Sequence, residues 1–263
     1  MIVRERGHPV QLSSAELADL ARVLGDSPET AIPVHRLIRG ACTAYVVGEP
    51  ARFDAAVVLM KDDMGELQGF GENPEALWSI LEPLEGWRVV NVSRSVAPKL
   101  GALIRASTGS RVAYYGDVYH TLTLPAVGYS HPDVRLLTVD DRALFDGVPD
   151  DLKPGMRGDV EIVLREGFVA GAVVDDRLVS VAHTNAITER YADIGVFTHE
   201  DHRNRGYSTA AASVVAAAIQ ESGLTPVWSC GEDNLASLRV AAKVGLTEVS
   251  RRTYVIPFNR VQS

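Results

Sequence analysis

Cysteine, positive charge and long apolar runs are all scarce in this chain of 263 residues. Its two cysteines, Cys42 and Cys230, are too few and too far apart for a disulfide framework or a thiolate zinc site, and no metal is expected. Lys and Arg number 26 against 34 Asp and Glu, a net charge of −8, so the basic footprint that nucleic acid or an acidic membrane surface requires is missing. No run approaches the roughly 18 apolar residues of a membrane span, and Met1-Ile2-Val3-Arg4-Glu5-Arg6 does not resemble a secretory leader; a cytoplasmic location is the expectation. What remains, 46% hydrophobic and 23% charged residues over this length, suits a globular protein of two domains.

The N-terminal half carries clear helix punctuation. Ser13 and Glu16 form a capping box, Leu17, Leu20, Ala21 and Leu24 a buried stripe, and Gly25 a stop. Asn73-Pro74-Glu75 starts another helix, with Ala76, Leu77, Ile80 and Leu81 on its apolar side. Strands are expected at 44–47, 55–60, 89–92 and 111–124, with helical pieces at 34–38 and 97–105. The acidic, glycine-bearing segment 61–72 reads as a solvated connection. Pro125 to Asp133 holds two prolines and one glycine, which places a boundary between an α+β domain of residues 1–130 and a second domain of 131–263.

The second domain is organised around 192–246. A strand, 192–198, with a weak point at Gly195 that marks a bulge or a close backbone approach, leads into the polar turn His199 to Arg205. Gly206 stands where the chain swings into a helix, 207–220, which Gly223 closes. The first amides of a helix lack internal acceptors and carry about half a positive charge, so Arg203 to Thr209 form an anion site. Arg203 and Arg205 reinforce it by charge, and Ser208 and Thr209 by hydroxyl donors. A strand at 227–230 and a second helix from Asn234 follow. Upstream, strands are expected at 134–138, 169–174 and 178–187, short helices at 141–145 and 159–165 with Val160, Ile162 and Val163 inward, and a tight hairpin at Asp175-Asp176-Arg177. A last strand is expected at 248–256.

Arg203-Asn204-Arg205-Gly206-Tyr207-Ser208 resembles the R/Q-x-x-G-x-G/A signature with which GNAT acyltransferases hold the pyrophosphate of acetyl-CoA, with Ser in place of the last Gly or Ala. Asn234, Ser237, Lys243, Gly245 and Leu246 are similar to the N-x-x-A/S and K-x-G-F/L pattern of the helix that closes the same site. The resemblance covers the C-terminal half. It implies a mixed, mostly antiparallel sheet flanked by helices, with a smaller α+β domain ahead of it. The strand and helix order read above is the GNAT order. It also implies acetyl-CoA as acyl donor, held by Arg203, Asn204, Arg205, Gly206, Tyr207, Ser208, Thr209, Asn234 and Ser237, with backbone amides around Val196 and Thr198 on the pantetheine and the thioester oxygen.

Acetylation of an amine also needs that amine neutral. An alkylamine of pKa near 10.4 is uncharged in about one molecule in 2,500 at pH 7, so a base removes a cost of roughly 4 to 5 kcal/mol. Candidate bases are Asp193, His183, Glu232 and Asp233, with Glu232 first, as base or as contact for the substrate ammonium. Asp233 reads first as the cap of the helix starting at Asn234, and His183 as readily as a core histidine as a catalytic one. Many family members place a Tyr seven residues after the Asn; here the position is Ala241, which leaves Ser237, Tyr207 or a water as candidate donors to the departing thiolate, for which an acid is useful without being indispensable. Cys230 reads as a small buried residue rather than a nucleophile, and Trp228 as core or as a pocket wall.

The expected function is an N-acetyltransferase that acts on a primary amine of a small molecule by direct transfer in a ternary complex. The alternative is a catalytically silent CoA-binding sensor or interaction module. A tandem arrangement, with a degenerate GNAT fold in the N-terminal half, is a further layout, and a homodimer is one assembly the sequence permits.

Overall fold

A computed structural model describes residues 8–61, 65–146, 148 and 160–258. The chain forms two compact units. The first comprises residues 1–25, 33–118 and 250–263, the second residues 26–32 and 119–249. The division therefore precedes the expected boundary at 125–133, and the last strand returns to the first unit. Local bonding accounts for both short excursions. Asp26 accepts from Thr188 Oγ1 at 2.7 Å and from the Arg190 amide at 2.9 Å, which ties 26–32 to the second unit. The segment after residue 121 is held along a helix of the second unit by side chains described below.

The first unit contains β1 (Pro9–Gln11), α1 (Ser14–Leu24), α2 (Ala31–Ile38), β2 (Cys42–Glu49), β3 (Arg52–Met60), β4 (Glu66–Phe70), α3 (Pro74–Leu81), β5 (Val89–Ser93), α4 (Ala97–Thr108) and most of β6 (Arg111–Thr121). The capping box of Ser13 and Glu16 forms as expected. β1 to β4 pair antiparallel in sequence, β5 joins β4 in parallel after the α3 crossover, and the end of β12 (Thr247–Phe258) lies antiparallel to β5. The expected solvated connection 61–72 is corrected by β4. Leu67 is fully buried, but glycines and acidic neighbours conceal its strand alternation in the sequence. Leu67, Leu77, Leu81, Val90, Val92, Leu100 and Ile104 form the core between this sheet and α3 and α4. Burial pushes the Cys42 thiol up to about 11, which leaves it an inert core residue.

The second unit contains the end of β6, then β7 (Val134–Leu136), a 3-10 turn (Val139–Phe145), α5 (Val160–Glu166), β8 (Val169–Val174), β9 (Arg177–Ile187), β10 (Tyr191–Thr198), α6 (Tyr207–Glu221), β11 (Thr225–Gly231), α7 (Leu235–Val244) and the start of β12. β7 to β10 are antiparallel neighbours, β11 joins β10 in parallel, and β6 borders β11. Asp175 and Asp176 both take positive φ, 49° and 60°, the two-residue hairpin geometry expected there. Of the expected inward set, Val160 and Val163 pack against the core beside buried Leu164, whereas Ile162 is 44% exposed and points outward. Asp159 lies outside the described residues.

One sheet face of this unit packs Ala192, Ile194 and Trp228 on Ala211, Val215 and Ile219 of α6 and Ala241 and Val244 of α7. The other packs Val169, Val181 and Phe197 with Phe145 and Leu164. Arg135 donates to both oxygens of Asp141 and holds that carboxyl down at about 2, anchoring edge strand β7 to the 3-10 turn.

A buried polar knot closes the first unit. Arg252, 5% exposed, donates through Nε to Asn91 Oδ1 at 2.6 Å and through Nη2 to the carbonyls of Gly69 at 2.6 Å and Asn91 at 3.1 Å. Asn91 Nδ2 donates to Asp117. Removing the guanidinium strands buried acceptors. Arg252→Met is expected to cost about 3 to 5 kcal/mol, read as a fall in denaturant midpoint. Arg22→Met, which breaks only an exposed pair with Asp19, is expected to cost about 1 kcal/mol or less. Equal small losses would mean that Arg252 is dispensable to the fold.

Candidate active site

The site of the second unit arises where two neighbouring strands part. β10 and β11 pair only through Tyr191↔Thr225, Ala192↔Pro226 and Asp193↔Val227, after which each continues to its own end. The His199 amide bonds to Val179 on the β9 side, and the Phe197 carbonyl accepts from Ser180 of β9. By strand alternation the main-chain groups of Val196 and Thr198 therefore face away from β9, toward the open fork.

At the head of the fork the chain turns through Arg203–Arg205 into α6. Asn204 takes φ 62°, a conformation Asn tolerates, and Gly206 takes φ 85° at the N-cap, where no side chain caps the helix. Space around Gly206 is open, with nothing within 4 Å of an added Cβ. The first amides of α6 are left for a ligand. Arg203 Nε donates to the Thr198 carbonyl at 3.3 Å and Arg205 Nη2 to the Asp201 carbonyl at 3.2 Å, which orients both guanidinia at the turn.

A cleft of about 500 Å³ brings together Val196, Thr198, Arg203, Asn204, Arg205, Gly206, Tyr207, Ser208, Thr209, Asn234 and Ser237, all the residues expected to hold the cofactor. It also includes Trp228, Arg239, Val240 and Lys243, and among the described residues no carboxylate lines it. An uncapped helix start, room at Gly206 and four cations match a polyphosphate ester. These residues fit acetyl-CoA.

Asn234 is the cap of α7, its Oδ1 accepting from the Ser237 amide at 3.1 Å; this corrects the reading of Asp233 as that cap. Trp228 is both core and wall. Its ring is buried, and its Nε1 donates to Ser237 Oγ at 2.9 Å, leaving the Ser237 proton able to point into the cleft. Tyr207 is differently engaged. Its ring is 5% exposed and its hydroxyl donates to Asp133 at 3.2 Å, so it anchors the helix start instead of facing a departing thiolate. Ala241 is fully buried on the core-facing side of α7. Cys230 is partly buried against the same core.

The two carboxylates expected as bases are placed differently. Glu232, just past β11, is exposed and does not line the cleft. Asp193 stands at the last paired position before the fork, 2% exposed, and accepts from Asn185 Nδ2 at 2.9 Å. It faces the side of the sheet away from α6, since Ala192 and Ile194 on either side of it pack toward that helix. Asn185 is the extra residue at a bulge opposite Asp193 and Ile194. A Cβ on Gly195 would come within 2.7 Å of the Asn185 side chain, so Gly195 marks a close approach and the bulge belongs to β9. Buried His183 pairs with Gly195 across the strands. Asn185 escaped the sequence reading because a polar residue within an apolar strand shows no sign of the bulge that turns it.

The first unit repeats this plan without the site. Its corresponding helix, α3, starts with Pro74, which has no amide hydrogen, and Asn73 Oδ1 occupies the Ala76 amide at 3.0 Å. Glu72 beside it accepts from Ser93 and Ser95, and Arg252 bridges the Gly69 and Asn91 carbonyls where β4 and β5 stop pairing.

Comparison with known proteins agrees with this geometry. The profile of the GNAT acetyltransferase family matches residues 158–255. Over 88 residues the chain is 27% identical to the uncharacterized N-acetyltransferase YdfB of Bacillus subtilis (strain 168), covering 34% of each; the chain thus spans about a third of that relative's length. The structure of a GCN5-related N-acetyltransferase-like protein from Streptococcus suis superposes with a TM-score of 0.67 at 22% identity, covering 93% of this chain and 99% of that one. A tandem GNAT protein from the clavulanic acid biosynthesis pathway gives 0.56 at 15% identity, over 95% and 98%. At such identities the structures speak for the fold, a mixed α+β architecture with a large mixed sheet flanked by helices, and the tandem protein suits a two-unit layout. Motif and family profile thus agree that residues 158–255 resemble the GNAT acetyltransferase family, and the fold of the second unit is in keeping with that match.

Proposed function

We propose that the protein is an acetyl-CoA-dependent N-acetyltransferase acting on a primary amine of a small molecule by direct transfer in a ternary complex. The observation that carries the reading is the cleft in which the uncapped start of α6 meets the open fork of β10 and β11. The α6 amides with Arg203 and Arg205 take the pyrophosphate, and Asn234 and Ser237 border the pantetheine. The Val196 and Thr198 amides donate toward the thioester oxygen, where fixed donors suit charge that develops during attack. The amine nitrogen bonds to the thioester carbon as the carbon–sulfur bond breaks. One proton leaves the nitrogen and one reaches the sulfur. In this reading Ser237 supplies the latter, a role supported by the hydrogen bond that its oxygen accepts from Trp228. Of the two carboxylates, the reading favours Asp193 to receive the former, because an amine approaching from the face opposite α6 meets it at the floor of the fork.

A second reading is a silent CoA-binding module, favoured by the absence of a hydroxyl at fully buried Ala241. Both readings require the cofactor. At 100 times its dissociation constant, CoA is expected to raise stability by about 2.7 kcal/mol, a melting shift on the order of 5 to 10 °C. Calorimetry is expected to find one site per chain, since the first unit's helix start is capped. No shift with CoA or acetyl-CoA sinks both readings. Release of thiol from acetyl-CoA with amines, or slowly with water, supports the enzyme; binding without any release supports the silent module.

Gly206→Val is expected to leave the fold intact and to weaken acetyl-CoA binding at least about tenfold, because a β-branched residue resists φ 85° at the turn that aims the amides. Unchanged affinity in a titration would remove the pyrophosphate from this turn.

Asp193→Asn tests the base. Raising pH supplies neutral amine without help, so the deficit of the variant is expected to narrow between pH 7 and 9. A deficit of equal size at both, together with a lower melting temperature, would make Asp193 the holder of Asn185 and nothing more. Glu232→Gln, measured in parallel, shows whether the exposed carboxylate bends back to assist: only then does its rate ratio to the parent change with pH.

A further inference from the structure

The cleft carries more positive charge than a pyrophosphate turn accounts for. Arg203 and Arg205 flank the α6 start, yet Arg239 and Lys243 also line the cleft, from the separate helix α7. They lie four residues apart, one turn above the other on one face. Both are exposed, and among the described residues neither makes an ion pair or hydrogen bond and no Asp or Glu lines the cleft to neutralise them. Two like charges one turn apart repel and disfavour the helix by a few tenths of a kcal/mol, and in a chain of net charge −8 they are not a background effect.

The pyrophosphate carries about two negative charges, which the helix start and the two arginines at the turn balance. What distinguishes CoA from its dephospho form is a further phosphate, the 3′-monoester on the ribose, with about −1.5 to −2 charges near neutral pH. We propose that Arg239 and Lys243 bind this 3′-phosphate and make the protein select CoA over dephospho-CoA. The inference rests on the acetyl-CoA reading of the cleft. Arg239 supplies a planar, bidentate donor pair and Lys243 a point charge one turn on, so two of the phosphate oxygens meet the fork and the third the ammonium. Arg239 stands outside the residue pattern that ties α7 to its superfamily, so the sequence resemblance gives it no role.

Isothermal titration of the full chain with CoA and with dephospho-CoA tests this, for the parent, Arg239→Ala, Lys243→Ala and the double variant, at low and high salt. The parent is expected to prefer CoA by about tenfold at low salt, and less at high salt because the site is exposed to screening ions. Each single variant narrows the preference and the double variant brings it close to one. Arg239→Lys, which keeps the charge and loses the fork, retains part of it. Equal affinity of the parent for the two forms overturns the proposal, as does a loss that is the same for both forms, which would assign these cations to the pyrophosphate or the pantetheine. A parent that binds neither form removes the acetyl-CoA reading itself, an outcome distinct from either of these.

Discussion

The free amides at the start of α6 are the feature on which the rest of the second unit depends. A helix end without caps is tolerable only where water or a ligand reaches it, and here the turn before it is polar and exposed. The helix must then be fixed by other means. Its first residue, Tyr207, is driven into the core and tied by its hydroxyl to Asp133, with His131 edge-on against the ring at 4.6 Å. Further along, Ser213 bonds to both Val127 O and the Tyr129 amide, and Gln220 to the Ala126 amide and the Leu124 carbonyl. The segment between β6 and β7 has few strand partners of its own, so these side chains satisfy its backbone and bind it along α6. Polar residues in a helix that otherwise packs alanines and valines are thereby explained.

The two units show how little separates an open, uncapped helix start from a closed structural turn. Each has antiparallel strands, a crossover helix and a parallel strand. In the first unit the helix start carries Pro74, Asn73 and the acid Glu72, which remove, occupy and repel in turn what a phosphate would need. Arg252, lying over Phe70 at 4.8 Å, fills the place where the strands would open. In the second unit the same positions are left to glycine, serine and free amides. The difference lies in four or five side chains; the backbone plan is held in common.

Much of this was legible in the chain. Asn73-Pro74, Ser13 and Glu16, Asp175-Asp176 and the turn 203–208 work through local backbone chemistry, which sequence displays directly. Elements whose stability comes from partners distant in the chain were harder. β4 is strand-like only because β3 and β5 flank it, and its own residues read as loop. The place of the C-terminal strand depends on pairing with β5, more than 150 residues away in the chain, which no local pattern announces. Among the candidate bases, the sequence puts Glu232 first because it follows a strand end; the structure leaves Glu232 exposed and buries Asp193 at the last paired position of β10. Side-chain direction at a strand end depends on where pairing stops, and that is a property of the sheet.

Net charge illustrates the same limit. A chain at −8 argues against polyanions as partners, yet among the described residues the cleft holds Arg203, Arg205, Arg239 and Lys243 without a carboxylate. The two statements are compatible because charge acts locally. At physiological salt the screening length is about 8 Å, so acids on distant surfaces scarcely lower the potential at the turn, while a concave site with low-dielectric walls concentrates it. The reading as an N-acetyltransferase asks for opposite fields at two places, positive for a phosphate-bearing donor and negative for an ammonium acceptor. A chain of one uniform sign would serve one substrate and repel the other. An acidic protein with a cationic cleft on the α6 side of the fork, and Asp193 facing the other side, meets both requirements without bringing the opposing charges into contact.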